Sequence, residues 1–274
     1  MTVLSGEAVL NAKPVCRVIQ LSDTHLMKDP GGVLVGIDTD RSLAAVCRLI
    51  AQQPEIDALL LTGDLAGDES DPAYRRLRDH LAALKVPSFW LPGNHDASQG
   101  QNTFYQSHFK RHIRCPHWDI LMLNTQSPGE VEGCLADPEL TFLKAAVERS
   151  LMNQRPLLVA THHPLAGVGC QWLDDQVVRN GAEVLSILAP LGESAVVISG
   201  HVHQETSQVH NGVRCFTVPS TCVQFAPGSE QFKADDLAPG CRLLELYEEG
   251  RFETQILRVV DESFQVDRLS TGYA

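Results

Sequence analysis

At 274 residues, with 43% hydrophobic and 20% charged residues, the chain has an ordinary globular composition and is long enough to bury a substantial core. Neither disorder nor a collagen-like or repeat architecture fits it. Its 34 acidic against 22 basic residues give a formal net charge of −12, which repels polyanions and argues against nucleic acid as a partner, while leaving room for a small anion. No run approaches the roughly 20 apolar residues that cross a bilayer. The N-terminal region, with Glu7 and Lys13 and no basic segment leading into an apolar one, does not read as a secretory signal, so a cytoplasmic protein without a membrane partner is expected.

In chain order, short apolar runs bounded by polar or turn residues read as buried strands: Val15 to Leu21, Ala58 to Leu61, Pro87 to Leu91, Ile120 to Leu123, Pro156 to Ala160 and Ala195 to Ile198. Between them lie helical stripes, Leu43, Val46, Cys47 and Ile50, then Leu140, Leu143 and Val147. Asp71-Pro72 and Asp137-Pro138 each place a capping carboxylate before a proline suited to a first helical turn. After Arg214 the pattern turns to strands, Cys215 to Val218, Leu243 to Tyr247 and Phe252 to Val259. The expectation is an α/β core closed by a β-rich C-terminal part from about residue 214, with no linker dividing residues 1–274, hence a single domain.

The eight cysteines, Cys16, Cys47, Cys115, Cys134, Cys170, Cys215, Cys222 and Cys241, include no Cys-x-x-Cys pair. Free thiols acting as small buried hydrophobes are expected.

Polar segments with metal-ligating potential follow the strand runs: Asp23-Thr24-His25, Gly63-Asp64, Gly93-Asn94-His95-Asp96, His162-His163 and Gly200-His201-Val202-His203. In open α/β sheets, sites gather at the carboxyl ends of strands. One such segment alone is a turn or a helix cap more often than a ligand. All of them together supply carboxylate, imidazole and amide donors suited to divalent first-row metals, and turn formation gives them no shared role.

In this order the segments resemble the signature of calcineurin-like metallophosphoesterases. LSDTHL, TGDLAGD, WLPGNHD, WLDD with RN shortly after, GHVHQE, PSTCVQF and APG extend the likeness, over nearly the whole chain, to bacterial class III 3′,5′-cyclic-AMP phosphodiesterases. The resemblance implies a four-layer sandwich of two mixed β-sheets flanked by helices, the metallophosphoesterase fold, around a binuclear centre. It implies that Asp23, His25 and His203 bind one metal, that Asn94, His162 and His201 bind the other, and that Asp64 bridges them. Iron and manganese are the metals associated with such proteins, and these proteins can be homodimers. His95 is implied to protonate the leaving oxygen, and His25, Asp64, Asn94, His95 and His203 to contact substrate.

Such a centre suits hydrolysis of a phosphodiester, an anion with a poor leaving group. Two metals lower the pKa of a bridging water, hold it in line with phosphorus and clamp the phosphoryl oxygens. An Asn at position 94, where an Asp could have stood, leaves the centre one charge more positive toward an anionic substrate. Imidazole fits the acid role of His95 because it both carries and releases a proton near neutral pH. Asp96 either orients His95 or holds the loop, and His163 is read as supporting a ligand.

Histidines 108, 112 and 117, near Lys110, Arg111 and Arg114, are expected on a solvated basic face. Trp172 or Phe225 could stack on a purine, although aromatics in mixed-sheet proteins are more often core. Cys241 stands after APG where close relatives tend to carry an aromatic. The expected reaction is hydrolysis of 3′,5′-cyclic AMP to 5′-AMP. Alternatives are a broader phosphodiesterase for 2′,3′-cyclic nucleotides or other small esters, a phosphoprotein phosphatase or nuclease, and a non-catalytic metal-binding scaffold.

Overall fold

The structure, a computed structural model, describes residues 6–11, 13–97 and 107–273. Five strands, β16 (Phe252–Arg258), β15 (Gly240–Tyr247), β2 (Val15–Leu21), β5 (Ala58–Thr62) and β6 (Ser88–Leu91), form one sheet in that order. Seven form the other: β1 (Glu7–Val9), β7 (His112–Arg114), β8 (Asp119–Met122), β9 (Leu157–Thr161), β10 (Ala195–Ser199), β12 (Val213–Thr217) and β11 (Thr206–His210). Both sheets are mixed, and two short hairpins, β3 (Val33–Leu34) with β4 (Ile37–Asp38) and β13 (Gln224–Phe225) with β14 (Ala234–Asp235), stand apart from them. β2, β5 and β6 run parallel while β15 joins β2 antiparallel, and β8, β9, β10 and β12 run parallel between antiparallel neighbours.

Period-two alternation decides which face each residue covers. Cys16 and Val18 of β2, Ala58 and Leu60 of β5, Leu158 and Ala160 of β9, and Leu244 and Leu246 of β15 meet between the sheets. Ile19, Leu21, Leu59 and Leu61 face outward onto α1 (Thr39–Ala51) and α2 (Asp71–Ala82). Leu157 and Val159 of the second sheet pack on α3 (Asp137–Asn153) and, beyond the short α4 (Gln171–Asp174), on α5 (Gly181–Leu188). The result is the expected four-layer sandwich of two mixed sheets flanked by helices. Each fully buried Leu or Ile contributes roughly 1.5–3 kcal/mol.

The expected helical stripes are buried, Leu43, Val46, Cys47 and Ile50 on α1 and Leu140, Leu143 and Val147 on α3. The helix starts are correct, but Asp71 and Asp137 do not cap. They are the first helical residues, behind Ser70 and Ala136, and no side-chain capping bond forms at either end. They act instead as first-turn carboxylates that complement the helix dipole. α1 has a bonded cap, Asp38 Oδ1 accepting from Arg41 N at 2.9 Å.

The solvated basic face is corrected too. β7 lies between two strands, which buries His112, and Arg111 just before it is buried as well. Arg111 pairs with Glu139 at 2.9 Å, and His112 pairs with Asp119 at 3.1 Å and Glu7 at 3.2 Å. His108 stacks on Trp90 at 4.1 Å, and His117 pairs with Glu248. The thiols are free, and most are buried. Cys241 packs under α1 beside Cys47 and does not reach the site described below. No helix among the described residues is long and apolar enough to cross a membrane.

Candidate metal centre

The loops that leave β2, β5, β6, β9 and β10 meet where the two sheets abut. Backbone bonds tie them there, Asp23 N to Gly63 O at 2.9 Å, His25 N to Asp64 O at 3.0 Å and Gly200 N to His162 O at 2.9 Å. All five polar segments therefore arrive in one place. Asp23, His25, Asp64, His162, His201 and His203 are each at most 5% exposed, while Asn94 and His95 are half-buried.

Unusual backbone aims these side chains. Asp23, His25, Asp64, His201 and His203 all have φ between 44° and 68°, a left-handed region that costs a non-glycine residue about 1–3 kcal/mol unless its surroundings enforce it. Gly93 is required by close approach, since a Cβ there would lie 2.2 Å from Asp64 Oδ1 and 2.5 Å from Asp64 N. The absent side chain lets the Asn94–His95 turn press onto Asp64, and His95 N then donates to Asp64 Oδ1 at 2.9 Å.

Hydrogen bonds fix which imidazole nitrogen faces inward. His203 Nδ1 bonds Val223 O at 2.8 Å, and His162 Nδ1 bonds Thr62 O at 2.7 Å, so each turns Nε2 to the centre. His203 Nε2 lies 3.3 Å from His25 Nε2 and 3.5 Å from Asp23 Oδ1. His162 Nε2 lies 3.2 Å from Asn94 Oδ1 and 3.4 Å from Asp64 Oδ2, and the same Asp64 oxygen is 3.8 Å from His25 Nε2. His163 sits among these rings, but both its nitrogens are committed, Nδ1 to Thr125 Oγ1 at 2.8 Å and Nε2 to Val131 O at 2.9 Å. It is a support and not a donor to the centre.

The electrostatics call for cations. Burial opposes the Asp64 charge, yet the surrounding imidazoles of His162, His95 and His25 hold its carboxyl well below the usual range. Burial also works against a charged His162, but Asp64 outweighs it and raises that imidazole to about 9. Burial pushes His25 down to about 3 and His201 well below its ordinary value, leaving both in the neutral form that ligates metal. The ion-pair partners of Asp23 and Asp64 among the described residues are histidines. Both ring nitrogens of buried His201 lack a hydrogen-bond partner there. An orphaned buried imidazole beside two buried carboxylates fits a metal ion, and no thiolate enters the donor set.

Asp96 is resolved as a loop anchor. Its carboxylate accepts from Leu65 N, Ala66 N, Gly93 N and the Tyr74 hydroxyl, and does not touch His95. Burial, with Asp64 nearby, pushes it up to about 6. Phe225 is core, 2% exposed and stacked on His203 at 4.2 Å, and Trp172 packs edge-on against it at 5.1 Å. Sequence reasoning missed Gln126, which braces Gly93 O and Asp96 O, and Thr125, although both lie within four residues after the end of β8. It also missed Tyr273, whose ring lies 5.1 Å from His95 and 5.3 Å from His25, and which no local pattern announces. A groove of about 500 Å³ between α1 and α2, lined by Arg48, Arg76 and His80 among others, includes none of the cluster residues.

Comparison with known proteins identifies the family. The chain is 39% identical over 264 residues to the 3′,5′-cyclic adenosine monophosphate phosphodiesterase CpdA of Pseudomonas aeruginosa, covering 93% of this chain and 94% of that protein. It is 38% identical over 278 residues to the Escherichia coli K12 protein of the same name, covering 98% and 97%. Among solved structures, a dimetal phosphatase from Danio rerio aligns with a TM-score of 0.65 at 14% identity, over 90% of this chain and all of that one, which speaks for the fold alone. The pattern of calcineurin-like phosphoesterases matches residues 16–205. With that match across most of its length, the chain belongs to the calcineurin-like phosphoesterase family, metal-dependent hydrolases with a dimetal centre.

Proposed function

We propose that the chain hydrolyses 3′,5′-cyclic AMP to 5′-AMP. The observation that carries this reading is 38–39% identity, across nearly the whole chain, to phosphodiesterases named for that substrate.

On this reading Asp23, His25 and His203 hold one metal ion, and Asn94, His162 and His201 hold the other. Ligand atoms of the first three within 4.8 Å of one another support the division, and Asn94 Oδ1 beside His162 Nε2 supports the second set. Asp64 takes the shared position because its Oδ2 lies between His25 and His162. Bound there, two metals would supply an acidified water and compensate charge on the phosphoryl oxygens. Iron and manganese are the metals we assign, on the family resemblance; the donor set of imidazole, carboxylate and amide accepts both without choosing between them.

His95 stands at the rim of the cluster, half-buried, its ring 5.2 Å from that of His25. From there it gives a proton to O3′ as the P–O3′ bond breaks and the water oxygen bonds to phosphorus, yielding a free 3′-hydroxyl and a 5′-phosphate. His25, Asp64, Asn94, His95 and His203 surround the phosphate position. Residues 1–274 act as one domain on this reading, since strands after residue 214 enter the five-stranded sheet beside β2. Eight free thiols favour a cytoplasmic location.

The test is product formation by metal-reconstituted protein on 3′,5′-cyclic AMP, 2′,3′-cyclic AMP and an aryl phosphodiester, with Asn94→Ala and His95→Ala beside the parent. Formation of 5′-AMP by the parent, with most of the rate lost in both variants, is expected. Turnover of only the other two substrates would keep the metal chemistry and sink the cyclic-AMP reading.

A further inference from the structure

The C-terminal segment returns to the metal centre along a built track. Glu262 pairs with Arg41 and Arg48 of α1, and the Arg41 guanidinium lies 5.3 Å from the Phe264 ring centre. Asp267 N donates to Val35 O at 2.9 Å, and Arg268 pairs with Asp236. Gly36 makes room for the passage: at φ 85°, a Cβ there would meet Asp267 N at 2.7 Å and Gln265 O at 2.8 Å. The track ends at Tyr273. Its hydroxyl is 3.4 Å from His203 Nε2, and its ring lies 5.9 Å from Phe225 and 6.2 Å from Phe232, in addition to the contacts with His25 and His95. At 37% exposure the side chain is partly packed on the site and partly open.

A pair of metals grips phosphoryl oxygens whatever the ester, so discrimination among substrates must come from groups beside the phosphate. Tyr273 is such a group. It adjoins His95, the proposed donor to the leaving oxygen, and it presents an aromatic face where a nucleoside or aryl portion must emerge. We propose that Tyr273 is a substrate-positioning residue whose ring bounds the mouth of the metal centre and packs against the part of the phosphodiester outside the phosphate. This rests on the hydrolase reading above, but not on cyclic AMP being the substrate.

The test pairs kinetics with a readout independent of turnover. Tyr273→Ala is expected to raise KM for 3′,5′-cyclic AMP about tenfold with a smaller change in kcat, at unchanged metal content. Tyr273→Phe should recover most of the loss, and Arg268→Ala, remote from the site, should move KM the same way by less. If the parent cleaves only an aryl phosphodiester, the cyclic-AMP reading falls and the same KM comparison on that ester still tests Tyr273. In parallel, nitration by tetranitromethane is followed by mass spectrometry on the metal-loaded parent, with and without 5′-AMP or inorganic phosphate, using Tyr247 as reference. Tyr273 should be protected severalfold by 5′-AMP and less by phosphate. Equal KM in Tyr273→Ala and parent, or nitration of Tyr273 that is unchanged or increased by 5′-AMP, would overturn the proposal.

Discussion

His25 and His203 face each other with their Nε2 atoms 3.3 Å apart, and the other nitrogen of His203 is already bonded to Val223 O. Two inward imidazole nitrogens at that distance share either a proton or a cation. Burial holds His25 in the neutral form that can ligate a cation.

Metal removal should therefore cost stability as well as activity. Binding at about 100 times Kd is worth about 2.7 kcal/mol. At roughly 2–4 °C per kcal/mol, a chelator should lower the thermal midpoint by several degrees. His203→Ala should show a lower midpoint and lower metal content by elemental analysis. A midpoint indifferent to chelator would mean that these donors hold no cation.

His95→Asn should separate proton donation from metal binding. Loss of a general acid costs about 10²–10⁴ in rate when the leaving oxygen needs a proton. The loss should be large on a cyclic nucleotide and much smaller on a nitrophenyl ester, whose leaving group departs unprotonated. Equal losses on both would assign His95 another role.

Asp96→Ala is expected to fail by destabilisation. It strips partners from the buried N–H groups of Leu65, Ala66 and Gly93 and from the Tyr74 hydroxyl. At about 1–3 kcal/mol for each of the three N–H groups, the loss in unfolding free energy should be on the order of 3–9 kcal/mol, read by urea denaturation. A variant as stable as the parent but inactive would instead make Asp96 catalytic.

Gly93→Ala places a methyl against Asp64, so the Asn94–His95 turn must lift from that carboxylate. Activity and metal content should fall together. If metal stays bound while activity disappears, the turn positions His95 without contributing to the metal site.

His112 gives a pH signature remote from the centre. Its bond to Asp119, opposed by burial and joined by Glu7, raises its pKa above the ordinary value. A raised folded value stabilises fully below the unfolded value of about 6.5 and is lost as pH rises through the folded value. The stability gap between parent and His112→Gln, from denaturation at a series of pH values, should shrink as pH rises through that window. A gap that is flat or widens with pH would remove the ion pair as its cause.

Much of the architecture was legible because its elements are local. Val15–Leu21 is the strand read from its apolar run, since five of its seven residues are buried and most of them are apolar, a pattern visible without knowing the partner strands. The α1 stripe was legible for the same reason, one helix face reading out one core. The capping role was misjudged because Asp71 and Ser70 are both plausible caps, and a one-residue shift is decided by how the chain enters the helix. Arg111 and His112 were misjudged because their charge suggests solvent, while His112 lies between two strands only because β1 arrives from far along the chain, and Arg111 is covered by its pairing with Glu139.

By itself the sequence picked out the residues that gather in the cluster, since Asp23, His25, Asp64, Asn94, His162, His201 and His203 follow recognisable strands in a recognisable order. Only the tertiary structure decided how each of these side chains is held. It turned five of those residues into left-handed backbone, spent both nitrogens of His163 on Thr125 and Val131 while leaving His201 unpartnered, and carried Tyr273 back to His95. The physical reason is range. Apolar periodicity and ligand chemistry are properties of neighbouring residues, whereas the direction of a ring nitrogen or the resting place of Tyr273 is fixed by contacts between segments far apart in the chain.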